Sequence, residues 1–302
     1  MMKQGSLLSF IAVVTVIGTT NGFTPQPQPF SMISKSLSSS LSSSSSLSAW
    51  NPFVKEDAGV AVVEVEKKVA PIPGPLNASN AVAGLVWVSL ITWAFGFAPG
   101  TVNSVADNEM LATLISQPVP RPEQINELWF AVWNCFAIVP AVLAALEAPV
   151  GRGQRLPAAP FLWGSAALGY FALGPYFITR TVRTEPVELD DLGWASRNIF
   201  ENRIFGIVLS AIALSIPFTS DLFNCDIPAT IAGFQDLASS SRFVSVASLD
   251  ITIMSLIGAN LVREDSIRRG WEDKSTALLI ASIFLPVITP CLYLAARPSL
   301  EE

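Results

Sequence analysis

The sequence predicts an all-α integral membrane protein, a bundle of about six transmembrane helices, and three observations lead there. Hydrophobic residues fill 51% of the 302 positions and charged residues only 14%, with a mean hydropathy of +0.48, a balance foreign to soluble domains. Apolar runs of about 17 to 25 residues recur, the length a helix needs to cross a bilayer core. None alternates with the two-residue period of a barrel strand, and helices and closed barrels are the forms that satisfy their own backbone in lipid.

The chain opens on an address. Lys3, the apolar stretch Leu7 to Ile17, and the small residues Thr20 and Gly22 ahead of Phe23 make residues 1–22 a secretory signal peptide, because so short an apolar stretch cannot span a membrane that asks for about 20 residues. Residues 23–54 lack Asp and Glu and hold the serine-rich run Ser38 to Ser46, the composition of a transit peptide or of a flexible linker. Residues 55–80 form a polar linker, with Val63-Glu64-Val65-Glu66 followed by Pro71-Ile72-Pro73-Gly74-Pro75.

The transmembrane domain, residues 81–298, carries expected spans at 81–98, 128–146, 160–178, 204–219, 243–262 and 275–296. Pro140, Pro175, Pro286 and Pro290 fall inside them and are expected to kink their helices. Small residues four apart, Ser165 with Gly169, Gly206 with Ser210 and Ser255 with Ala259, let helices approach closely. Ser245, Ser248, Thr252, Ser255 and Ala259 form one stripe on the fifth span, read as a helix contact. Counted over alternate sides of six spans, Lys and Arg after residue 54 divide seven to nine, and the side with nine, which includes Arg180, Arg268 and Arg269, is expected to face the stroma.

Several chemistries are excluded. The sequence contains no histidine, so the usual general base, haem ligand and commonest metal ligand are missing. Cys135, Cys225 and Cys291 lie too far apart in sequence for a Cys-x-x-Cys pair, and the scattered Lys and Arg make no patch for a phosphate backbone. We therefore expect no catalytic residues, no cofactor, no metal and no nucleic-acid partner; the expected partners are the lipid bilayer and other membrane subunits.

Asp250 stands out, since a carboxylate in the middle of a span is costly unless paired or wet. At 100° per residue it faces away from the Ser/Thr stripe, so its partner must come from another helix. It is either a proton or cation site, or a cap or pairing group for a neighbouring helix. Asn134 in the second span, and Glu127 and Glu147 at its ends, are candidates to join Asp250 in a polar cluster, with plain interhelical hydrogen bonding as the alternative. Glu201 opens the fourth span, suited to a helix N-terminus or to a pigment magnesium. The segment Arg263 to Lys274 packs eight charges into twelve residues and reads as a solvated connector, with a lipid or partner contact anchored by Trp271 as the alternative.

Two resemblances add to this reading. Asn21-Gly22-Phe23-Thr24-Pro25 after a signal peptide resembles the Phe-containing cleavage motif of diatom-type bipartite plastid presequences, which makes Phe23 the targeting residue. Phe130 to Asn134 through Pro140, Ala158 to Phe161 through Gly174-Pro175-Tyr176-Phe177, and Ser248-Leu249-Asp250 resemble an uncharacterised family of chloroplast and cyanobacterial polytopic membrane proteins; the resemblance covers about residues 125 to 275. It implies a plastid membrane, thylakoid or envelope, reached through the secretory pathway, and no reaction. Two functions follow as expectations: a structural or assembly component of a membrane complex, or a small-solute or ion permease using Asp250.

Overall fold

Asn77 opens the first helix, its side chain accepting from the backbone N–H groups of Ser79 and Asn80 while the Asn77 N–H donates to Asn80 Oδ1. The structure, a computed structural model, describes residues 75–300; the expected signal peptide, transit segment with Phe23, and linker up to residue 74 lie outside the described residues. In chain order the helices are α1 Ala78–Thr92, extended by a wide turn Trp93–Phe97, α2 Val105–Ser116, α3 Glu127–Glu147, α4 Ala158–Leu168, α5 Tyr170–Thr179, α6 Arg203–Thr219, α7 Ile227–Ser240, α8 Arg242–Arg268, α9 Glu272–Phe284 and α10 Ile288–Ala296. The described residues contain no strand, and the all-α expectation holds.

Three helices are long and apolar enough to cross a membrane: Ala78–Phe97, Glu127–Val150 and Arg242–Arg268. The shorter apolar helix α6, 17 residues, runs between the same two ends of the bundle. One end gathers Ala98, Arg121, Glu127, Thr219, Thr230 and Arg242: Arg242 Nη2 donates to Ala98 O (2.9 Å), the Arg121 N–H to Thr219 O (3.2 Å), and Asn126 Nδ2 to Thr230 O (3.0 Å). The opposite end gathers Asn80, Glu147, Arg180, Glu201, Glu264 and Arg297 through the ion pairs described below.

Two of the six expected spans do not run from end to end. Segment 160–178 breaks at Gly169, whose φ of +56° and ψ of −137° lie where only glycine is comfortable. The chain then returns beside itself: Phe161 stacks on Tyr176 at 6.0 Å, and a Cβ on Gly164 would meet the Ala172 methyl at 3.1 Å. Both ends of this hairpin lie at the end of α3, because a Cβ on Gly151 would press on Ala158 (2.9 Å) while the Thr181 N–H donates to Gln154 Oε1 (2.8 Å). Segment 275–296 behaves alike. Pro286 forces Leu285 out of helical geometry (φ −124°, ψ 69°), and Thr289 Oγ1 reaches back to Ala281 O at 3.1 Å. Trp271 and Tyr293 then meet edge to face at 6.3 Å, and Arg269 Nη1 donates to Pro298 O at 2.7 Å, so this hairpin too ends where it began. The physical reason is shared: each run is apolar enough throughout to read as one span, but one residue in it cannot continue a helix.

The resulting plan repeats. An end-to-end helix (α1, α6), a short helix at the far end (α2, α7), a returning end-to-end helix (α3, α8) and a helical hairpin (α4–α5, α9–α10) occur twice in the same order. Packing repeats with it: α1 lies on α5 as α6 lies on α10, α4 packs on α3 as α9 packs on α8, and α3 and α8 meet at the centre. Each half makes two passes, so both halves point the same way, a parallel repeat. The core forms around Ile138, Val142, Leu146, Leu173, Ile253 and Met254. Of the expected kinks, only Pro286 ends a helix; Pro140, Pro175 and Pro290 sit inside continuous ones. Gly206 acts as its spacing suggested, since a Cβ there would lie 2.4 Å from the Ala295 backbone nitrogen of α10. On the Ser/Thr stripe, Ser245, Ser255 and Ala259 are buried, and Ser245 Oγ accepts from Trp93 Nε1 at 3.2 Å.

Candidate functional site: a capped hairpin tip and two ionic clamps

Asp250 lies within α8 and turns toward the tip of the first hairpin. Its Oδ1 accepts a hydrogen bond from the Tyr170 N–H at 2.7 Å, and its carboxylate packs so closely on Gly169 that a Cβ there would fall 1.6 Å from Oδ2. The first residues of a helix have backbone donors without partners, and a carboxylate suits that positive end. Asp250 thus caps α5 from a neighbouring helix, the second of the two roles its sequence position allowed. Tyr170 locks the same tip from its other side, with its hydroxyl donating to Ala83 O at 3.1 Å.

The open ends of the two hairpins carry matched clamps. In the first, Glu147, fully buried at the end of α3, accepts from the Tyr176 hydroxyl and from Arg180 Nε (2.8 Å). Arg180 also forks onto Glu264 of α8, Nη2 at 2.5 Å and Nη1 at 3.3 Å, and its carbonyl accepts from Asn80 Nδ2 at 2.7 Å. One residue so joins α1, α3, α5 and α8, its guanidinium holding α3 and α8 and its carbonyl α1. Burial alone would lower the Arg180 pKa, but Glu147 and Glu264 outweigh it and raise it well above the ordinary guanidinium value.

In the second, Asp265 of α8 accepts from the Tyr293 hydroxyl (2.8 Å), Arg297 Nη1 (3.0 Å), Arg269 Nε (2.8 Å) and Arg268 Nη1 (2.6 Å). Glu201, just ahead of α6, takes Arg269 in a two-pronged grip (2.7 and 2.9 Å) and Arg297 Nη2 at 2.9 Å. Here too burial works against charge, and Asp265 and Glu201 raise the Arg269 pKa above its ordinary value. The register is the same in both halves: the acid precedes its tyrosine by 29 and 28 residues and its arginine by 33 and 32. Glu264 and Asp265 are neighbours, so the clamps abut, and their four carboxylates balance their four guanidinium groups. Such groups tolerate burial only when paired, and removing one partner of a buried pair costs about 3–5 kcal/mol.

The sequence-level candidates are not brought together. Glu127 sits at the far end, 3.2 Å from Arg121 Nη2, accepting from Thr230 Oγ1 at 3.1 Å. Asn134 donates to Phe130 O of its own helix at 2.8 Å. Neither shares a partner with Asp250, and Glu147 belongs to the clamp. Glu201 is held by two arginines, Arg269 and Arg297. The Arg263–Lys274 segment is no solvated connector: α8 continues to Arg268, and Asp265, Arg268 and Arg269 are buried. Their spacing of three and four residues along one helix face was the signal for this. Among the described residues no group of His, Cys, Asp and Glu is placed to hold a metal ion.

One half-open cleft, of about 140 Å³, lies between α1, α5 and α8, apolar along Val82, Val86, Ile253 and Ile257, and polar at the clamp end beside Ser79, Asn260, Glu264 and Arg180. Fold and site together define a helical bundle of two like halves whose buried charges hold hairpins in place. No protein-family model matches the chain, and no curated protein or solved structure does so either.

Proposed function

We propose that the chain is an integral membrane protein of a plastid membrane with a structural or assembly role. The observation that carries this is the engagement of Asp250: the acidic side chain deep in the bundle holds a hairpin tip by its backbone, a fixed structural task. The clamps support the same reading, because they tie α1, α3, α8 and the start of α6 to the open ends of both hairpins. Eleven of the thirteen Lys and Arg among residues 75–300 lie toward the clamp end, against Arg121 and Arg242 at the other, a bias that favours the clamp end facing the stroma. The seven-to-nine division found for six spans came from placing both hairpins across the membrane. The plastid address rests on Phe23 and the serine-rich segment. Native purification from plastid membranes tests the role: a stoichiometric partner complex supports it, and a protein that stays monomeric with no partner refutes it.

A second reading, a small-solute or ion permease, is favoured by the parallel repeat and the two hairpins entering from one end, features that recur in transporters. It requires that Asp250→Asn abolish uptake into proteoliposomes while the fold persists; a cap predicts otherwise, since an asparagine oxygen still accepts the Tyr170 N–H.

A further inference from the structure

The two halves differ in how closely their first helix packs. In the second, α6 is pressed onto the α10 backbone at Gly206 and also packs on α3. In the first, α1 makes the equivalent contact with α5 but meets α8 only sparsely, with Trp93 Nε1 on Ser245 Oγ, and the cleft opens between them nearer the clamp end. Its walls, Val82, Val86, Ile253 and Ile257, are apolar, and its α1 side continues onto the exposed Leu85 and Val88. At its clamp end the half-buried Asn260 amide has no hydrogen-bond partner among the described residues. Arg180 and Glu264, which flank it, neutralise each other.

We propose that this cleft binds one apolar chain of a membrane amphiphile whose head carries uncharged hydrogen-bonding groups. The gradient along the cleft, apolar in the depth of the bundle and polar at its end, is that of an amphiphile aligned with the helices. Head-group choice follows from charge. A phosphate would meet Glu264 and find Arg180 already held by two carboxylates, whereas a hydroxyl meets the free donor and acceptor of Asn260. The site is independent of whether the protein is a scaffold or a permease.

The test uses the full chain reconstituted in nanodiscs of phosphatidylcholine containing equal small fractions of a monoglycosyl diacylglycerol and phosphatidylglycerol, with retained lipid counted by native mass spectrometry. Wild type and the outward-facing control Leu85→Trp retain one monoglycosyl diacylglycerol per chain. Val82→Trp, which fills the cleft, retains it about tenfold less, the loss expected when about two methylene groups are turned out of an apolar site. Asn260→Leu keeps a bound chain but loses the preference for the sugar head. If Val82→Trp does not fold, Ile257→Phe replaces it. Equal retention by the cleft-filling and control variants, a preference for phosphatidylglycerol, or a polypeptide occupying the cleft each overturns the proposal.

Discussion

Gly169 and Asp250 form a contact whose energetics can be worked out in advance. In Gly169→Ala the new methyl must keep a φ of +56°, which costs a non-glycine residue about 1–3 kcal/mol. It must also displace a carboxylate oxygen that stands 1.6 Å from the Cβ position, an overpacking worth roughly 1–3 kcal/mol more. The sum is about 4 kcal/mol, and at about 2–4 °C per kcal/mol for a chain of this size Tm falls by about 8–16 °C. Asp250→Ala alone leaves the Tyr170 N–H without its acceptor, a loss of about 1–3 kcal/mol. Combined, the two substitutions no longer collide, so the double variant is more stable than the sum of the singles predicts by about 1–3 kcal/mol. Thermal unfolding in detergent, followed by tryptophan fluorescence, measures all four corners of the cycle. Strict additivity, or a Gly169→Ala protein within about 0.5 kcal/mol of wild type, refutes the account of the tip.

Two further outcomes test the architecture. Single cysteines at Asn103, Gly193, Ser239 and Asp273, in a chain whose native cysteines are replaced, should react with an impermeant maleimide in two sets: 103 and 239 from one side, 193 and 273 from the other. Six crossings would instead set 239 apart from the other three. Arg180→Met and Arg297→Met should each lower stability by about 3–5 kcal/mol, and lysine should not restore it, because each arginine uses two separate nitrogens on two carboxylates. A large loss at one position and none at the other, read from the same unfolding traces, would contradict the equivalence of the clamps.

The long helices were legible in the sequence: α3 and α8 contain the expected spans 128–146 and 243–262, and Gly206 announced a close approach that exists. The hairpins were not. Gly169 reads as one more small residue in an apolar run, and what makes it a turn is Asp250, eighty residues away. Pro286 was visible, but a proline in an apolar helix can be carried, as Pro140 is. Asp250 was correctly singled out as needing a partner from another helix; the partner, a backbone N–H, leaves no mark on a sequence. The recurrence of Tyr-x-x-x-Arg at 176–180 and 293–297, each following an acid at the end of a long helix, was the available trace of the repeat. It stayed hidden because the equivalent acids are Glu in one half and Asp in the other, and the surrounding residues differ.

Duplication with one half kept tight and the other left ajar amounts to a division of labour. When a fold contains two versions of one packing problem, the version solved by a glycine at 206 supplies rigidity, and its counterpart is released from having to close. Substitutions at Val82 and Val86, on the cleft face of α1, would then change what the protein holds without touching the clamps that hold it together, whereas a larger residue at Gly206 of α6 would strike at its stability. Variation tolerated at the first of these faces and resisted at the second is the pattern such a molecule should display under saturation mutagenesis.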